Sequence, residues 1–147
     1  MLDGVMAPSF GLEKRFDNIS AGVGYYSGGY ITDFPGVELI MKIHYLSIYS
    51  VFYQIVNDRI AIGLGAGLGI PISSDYKMTV ENQLDEGSIG INNLDNDLNI
   101  LIRGVYAISE TYAIRCYYQH ALTTIQDEGD FMDMMNRIVG IGLLYRF

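Results

Sequence analysis

The sequence contains no run of about 18 uninterrupted apolar residues, so no transmembrane helix can be drawn through it. It has little positive charge: Lys and Arg total 9 against 17 Asp and Glu, a net charge of −8. No basic patch is available to meet phosphates, which argues against a nucleic-acid partner. The single cysteine, Cys116, excludes an internal disulfide. The opening residues Met1-Leu2-Asp3-Gly4 lack the basic region and apolar run of a secretory signal.

What is present is apolar and aromatic. Half of the 147 residues are hydrophobic, with Tyr 12, Phe 6 and Gly 17, and mean hydropathy is positive. Such a composition favours strands, and the length suits one domain spanning residues 1–147. A chain this apolar without a spanning helix is either a soluble β-protein with a large core or a membrane barrel.

Alternating apolar stretches predict seven strands, at about 5–16, 19–27, 37–55, 59–72, 97–108, 112–123 and 137–147. Tight turns at Asp17-Asn18, Asn57-Asp58 and Ser109-Glu110 alternate with long polar connections at about 28–36, 73–96 and 124–136. In an up-and-down barrel this alternation gathers every short turn at one end and every long loop at the other. Outer-membrane barrels have that asymmetry, with short periplasmic turns and long extracellular loops. They also have even strand counts, so one strand is expected before Met1 and the chain is expected to be a mature form or a fragment.

Strand parity separates two faces. In the fourth strand Ile60, Ile62, Leu64, Leu68, Ile70 and Ile72 oppose Ala61, Gly63, Gly65, Gly67 and Gly69. The charges Glu38, Lys42, Arg103, Arg115 and Arg146 fall on the side rich in small residues. The phase of the third strand becomes ambiguous near Tyr45-Leu46, where a β-bulge is expected. A charge facing lipid at the midplane would cost roughly 2–4 kcal/mol. The small-residue face is therefore expected to line a narrow lumen, plugged by salt bridges. Aromatic residues mark the ends of the apolar face: Phe16, Tyr106, Tyr112 and Tyr145 at the turn side, Tyr118 toward the loops. The expected fold is an all-β, antiparallel up-and-down transmembrane β-barrel of eight strands, about seven of them in this chain, in a bacterial outer membrane. The competing reading is a soluble up-and-down barrel that turns its Ile/Leu face inward around a hydrophobic ligand.

The C-terminal Val139-x-Ile141-x-Leu143-x-Tyr145-Arg146-Phe147 resembles the terminal signal of outer-membrane barrels, apolar at alternate positions and ending in Phe. Three further segments point the same way: His44-Tyr45-Leu46-Ser47-Ile48-Tyr49, Gly63-x-Gly65-Ala66-Gly67-x-Gly69, and Gln119-His120-Ala121-Leu122-Thr123-Thr124-Ile125. In that order, over about residues 10–147, the chain resembles the PorT-like outer-membrane β-barrel family common in Bacteroidota. It departs from the family at Ser47-Ile48-Tyr49, where an acidic residue, Ile and Pro are usual, and in lacking the family's first strand. The resemblance implies outer-membrane lipid as a partner, the barrel assembly machinery as reader of the C-terminal signal, and no general catalytic residues or cofactor. A protein partner would meet the loops.

Few residues suggest chemistry. His44 and His120 are the only histidines. With Ser47, Ser50 or Thr123 they evoke a lipid-modifying hydrolase, which needs a nucleophile, a base and an orienting carboxylate. Parity points His44 inward and His120 outward, with no acid beside either, so ordinary lumen and interface histidines are expected. Acids crowd two loops: Asp75, Glu81, Asp85, Glu86 and Asp95 in one, Asp127, Glu128, Asp130 and Asp133 in the other. Asp127-Glu128-Gly129-Asp130 offers clustered oxygens to Ca²⁺ without EF-hand spacing; solvated loops and no metal are expected. Cys116 is expected to face lipid as a small hydrophobe. Met132, Met134 and Met135 would touch a partner or fold against their own loop. The function expected is structural or interactive, without catalysis.

Overall fold

Alternation of branched and aromatic residues with small ones gives eight strands. They are β1 (Phe10–Phe16), β2 (Ile19–Phe34), β3 (Val37–Ile55), β4 (Ile60–Val80), β5 (Gln83–Ser88), β6 (Asp97–Ala107), β7 (Tyr112–Ala121) and β8 (Arg137–Tyr145). The structure is a computed structural model that describes residues 9–81, 83–88, 90, 92, 94–123 and 135–145. All pairings are antiparallel, along the path β1-β2-β3-β4-β6-β7-β8, and β5 pairs with the far end of β4. There is no α-helix among the described residues.

The short turns are built by their own side chains. Asp17 adopts φ 51, a left-handed conformation that Asp tolerates. Asn57 Oδ1 accepts hydrogen bonds from the backbone N–H groups of Arg59 and Ile60, both at 2.9 Å. Ser109 Oγ accepts from those of Thr111 and Tyr112 at 3.3 and 3.0 Å. Side-chain oxygens thus replace backbone partners, and each chain reversal needs no longer loop.

Two of the expected long connections are strand instead. β2 runs on to Phe34 and turns through Pro35 and Gly36, whose φ of 81 suits glycine. β4 runs on to Val80, turns at Glu81 and returns as β5. The β-formers Ile31, Thr32, Phe34, Thr79 and Val80 account for the extension, because each has a strand partner to pair with. Most of the third connection, 124–134, lies outside the described residues.

The expected bulge is present, but on the other strand. Tyr45 opposes Pro71 and His44 opposes Ser73, so Ile72 of β4 is the extra residue. Pro71, with no N–H to give to a ladder, fits a bulge. β3 therefore keeps one phase along its whole length, and β4 inverts.

The sheet curls. Ser9 Oγ, just before β1, lies 2.7 Å from the Tyr117 hydroxyl on β7. Glu13 of β1 meets Arg103 of β6 and Arg115 of β7. Strands at opposite ends of the path thus face each other across one concave side. Among the described residues no backbone pairing joins β1 to β8, so the barrel is open along that seam.

The concave side holds two clusters. Val51, Tyr53, Leu101, Val105 and Ala113 pack near the turns. Tyr26, Met41, Ile43, Tyr45 and Leu94 pack near the loops. The Gly stripe of β4 makes room for these rings: a methyl at Gly63 would sit 2.7 Å from both Tyr53 and Val51, and one at Gly69 would strike the Tyr26 hydroxyl. The convex side of the turn-side half carries Leu12, Val23, Ile48, Phe52, Leu64, Ile102 and Ile141, all exposed. A soluble ligand-binding barrel would need the reverse.

Candidate functional site

The interior charges come from three strands. Arg103 Nη1 donates to Glu13 Oε2 at 2.6 Å, and Arg115 Nη1 lies 3.6 Å from the same oxygen. The Tyr53 hydroxyl donates to Glu13 Oε1 at 3.3 Å, and the Arg103 guanidinium stacks 4.3 Å above the Tyr49 ring. Arg103 is buried and Arg115 half-buried, both on the concave side. Glu13 escaped the sequence reading. A signal for it existed: Gly11 and Glu13 alternate with Phe10 and Leu12, although Lys14 then breaks the pattern. Parity says nothing, however, about contacts across the barrel.

Glu38 and Lys42 do not join this cluster. Because β3 keeps its phase, they lie on the side of His44, Leu46 and Ile48, opposite Tyr45 and Ser47; Glu38 is exposed and Lys42 half-buried. Arg146 and Phe147 lie outside the described residues. Val139, Ile141, Leu143 and Tyr145 form the exposed outward row of β8, an edge strand. Tyr145 meets Tyr112 edge-on at 5.5 Å near the turns, where Phe16 and Tyr106 are also exposed. Toward the loops, Phe10 stacks on Tyr25 at 5.1 Å and Tyr118 on His120 at 6.2 Å.

A second polar group closes the interior near the loops. Asp97 is buried; its Oδ2 accepts from the Tyr26 hydroxyl at 2.5 Å and from Asn136 Nδ2 at 3.1 Å. Asn136 Nδ2 also donates to the Tyr45 hydroxyl at 3.1 Å. These bonds tie β2, β3 and β6 to the segment entering β8. Nothing in the sequence singled out Asp97, which begins a strand after an acidic connection.

His44 faces outward, not into the lumen. Its Nδ1 lies 2.9 Å from Ser27 Oγ and also touches the Tyr25 hydroxyl; its Nε2 lies 3.4 Å from Asp75 Oδ2. An acid does stand beside it. The cause is the Ile72 bulge, which turns Ser73, Asp75 and Lys77 to the side of His44. Ser47 is instead buried inside, and Ser50 Oγ donates to the Ser20 carbonyl at 3.0 Å. His120 Nδ1 is 3.3 Å from the Tyr118 hydroxyl. Thr123 Oγ1 donates to the Asn96 carbonyl at 2.7 Å and accepts from the Leu98 N–H at 3.0 Å, capping β6.

In the β4–β5 hairpin Lys77 pairs with Glu86 at 3.2 Å. The Tyr76 hydroxyl lies 3.3 Å from Asp85, whose negative charge raises the phenol pKa. Asp127, Glu128, Asp130, Met132, Asp133 and Met134 lie outside the described residues, and Met135 is exposed. Among the described residues no three His, Cys, Asp or Glu side chains gather to hold a metal. Cys116 is exposed on the convex side, beside Ile141.

Solved structures share this fold. Neisserial surface protein A, NspA, superposes with a TM-score of 0.65 at 12% identity, over 96% of this chain and 83% of that one. Ail, the attachment invasion locus protein of Yersinia pestis, superposes with a TM-score of 0.53 at 16% identity, over 95% of this chain and 80% of that one. Both are small eight-strand outer-membrane β-barrels, and the fold of this chain is of that kind. No family profile and no curated protein matches the sequence.

Proposed function

We propose that the protein is a small integral β-barrel of the bacterial outer membrane, non-enzymatic, with a structural or interaction role carried by its loop-side end. The observation behind this reading is a reversal of polarity at the Ile72 bulge. On the turn side the convex face is apolar and the interior holds Glu13, Arg103 and Arg115. On the loop side Glu38, Lys42, His44, Ser73, Asp75 and Lys77 face outward, while Met41, Ile43 and Leu94 are buried inside. The apolar outer band has the right height. Along β6 it runs from Ile108 to Leu98, roughly 33 Å of strand, or about 25 Å once tilted by about 40°.

Outer-membrane lipid is then the partner of the convex band. The row Val139, Ile141, Leu143 and Tyr145, with Phe147, serves as the signal to the barrel assembly machinery. The PorT-like resemblance supports the same assignment, since its first two segments fall on β3 and β4 and its third begins on β7. The β2–β3 and β4–β5 hairpins and segment 124–136 would present the protein to a partner outside the cell, because variable function resides at the ends of a rigid scaffold.

Gel mobility before and after boiling tests the reading, on protein refolded in detergent and compared with its solubility in water. A heat-dependent shift with aggregation in water is expected. A water-soluble monomer with no shift would overturn it. Orientation is read in a Cys116→Ser background on intact cells. Asp85→Cys should react with an impermeant maleimide, and Asp58→Cys only after permeabilisation.

One observation favours a second reading. Ser27, His44 and Asp75 supply a hydroxyl, an imidazole and a carboxylate in sequence at the loop-side edge of the apolar band, where an ester of an outer-leaflet lipid would lie. It stands second because the Tyr25 hydroxyl contacts the same ring nitrogen as Ser27. Turnover of a phospholipid or short-chain ester that disappears in Ser27→Ala would promote it; no turnover retires it.

A further inference from the structure

We infer that the barrel interior holds one small monovalent anion, of halide size, between Arg103 and Arg115. Three observations converge. First, the charges do not balance. Arg103 and Arg115 share the single carboxylate of Glu13. The other buried acid of the described strands, Asp97, lies six residues along β6 from Arg103, about 20 Å away, and is held by Tyr26 and Asn136. Arg15 does not add to this balance, because it lies exposed at the turn-side rim with its Nε donating to the Asp17 carbonyl. Among the described residues one guanidinium charge is therefore left over in the interior.

Second, the unused polar atoms there are donors. Arg103 Nε and Arg115 Nε are out of contact with solvent and have no hydrogen-bond partner. Third, both side chains line one cavity of about 40 Å³. A water molecule needs roughly 10–15 Å³ of such space, so the cavity takes a few waters, or one halide ion with a water beside it. Water would satisfy the donors and leave the charge unpaired. An anion satisfies both, and an uncompensated buried charge is the costlier defect.

The test is thermal unfolding of the full chain refolded in detergent, followed by circular dichroism, in sodium chloride against sodium gluconate at equal ionic strength. Chloride should raise the midpoint by several degrees and then saturate; gluconate is too large to enter. Arg115→Gln leaves one Arg facing one Glu and should abolish the difference between the salts. Equal midpoints in the two salts would mean a water-filled cavity and overturn the inference. An unchanged chloride response in Arg115→Gln would reduce it to a general salt effect. Should that variant not refold, crystals of the unaltered protein in sodium bromide decide: an anomalous peak between the two guanidinium groups supports the site, and a cavity without one removes it.

Discussion

The two halves of β3 carry opposite patterns on an unbroken backbone. From Tyr53 to Tyr45 the inward residues are Tyr53, Val51, Tyr49, Ser47 and Tyr45, and Phe52, Ile48 and Leu46 point outward. From His44 to Val37 the inward residues are Ile43, Met41, Leu39 and Val37, and His44, Lys42 and Glu38 point outward together with the single apolar Ile40. The strand does not change phase between them. In the proposed membrane setting what changes is the medium outside, and each half places its apolar residues accordingly: against lipid in one, against the barrel's own interior in the other. β4 meets the same boundary differently, by inserting Ile72 and inverting. One boundary is thus met in two ways by adjacent strands.

The largest way to break this contrast is to remove a charge on each side of the boundary. Glu13→Leu leaves Arg103 and Arg115 facing each other without a carboxylate. Losing one partner of a buried pair costs about 3–5 kcal/mol, read from urea unfolding of vesicle-inserted protein. Asp75→Asn removes the partner of His44 on the exposed side, and the same assay should register no more than about 1 kcal/mol. Equal losses would place both residues in one environment and dissolve the boundary.

Adding a charge should give the next largest effect. Leu64→Lys puts an ammonium on the outward face in the middle of the apolar band and should cost about 2–4 kcal/mol. Ser73→Lys, on the same strand but beyond Ile72, should stay within about 0.5 kcal/mol. The position at which a lysine scan of β4 falls from the first value to the second locates the membrane edge. A flat scan would mean that no lipid surrounds this strand.

That boundary also explains what could and could not be read in the sequence. The seven-strand meander was legible because alternation and the turn residues at 17–18, 57–58 and 109–110 are local signals. The inward placement of Arg103 and Arg115 followed from β6 and β7, whose described parts each keep one polarity. Glu38, Lys42 and His44 were misplaced for one reason. Parity assumes that the apolar side of a strand is always the same side, so a change of outer medium looks like a change of phase. The extensions beyond Ser27 and Ile72 were hidden likewise, because the polar residues in these parts of β2 and β4 read as loop. Glu13–Arg103 and Tyr26–Asp97 join residues far apart in sequence, and only the curvature of the sheet brings them together.

The smallest contrast lies within the interior itself. Gly65 and Gly142 both point inward, yet their surroundings differ. A methyl at Gly65 would strike the Ser50 carbonyl and approach Val51 Cα to 2.8 Å, and backbone cannot step aside as a side chain can. Gly65→Ala should therefore cost about 1–3 kcal/mol by overpacking. A methyl at Gly142 meets nothing within 4 Å. Gly142→Ala should be neutral within about 0.5 kcal/mol, or slightly stabilising, since alanine restricts the unfolded chain more than glycine does. Paired measurements of these two variants report on where the barrel is filled. A loss at Gly65 alone means that packing is tight where β3 and β4 meet and loose beneath β7 and β8, the side that flanks the open seam. A matching loss at Gly142 would mean that something occupies the space under that seam in the assembled barrel, and that the two sides of the interior are equally closed.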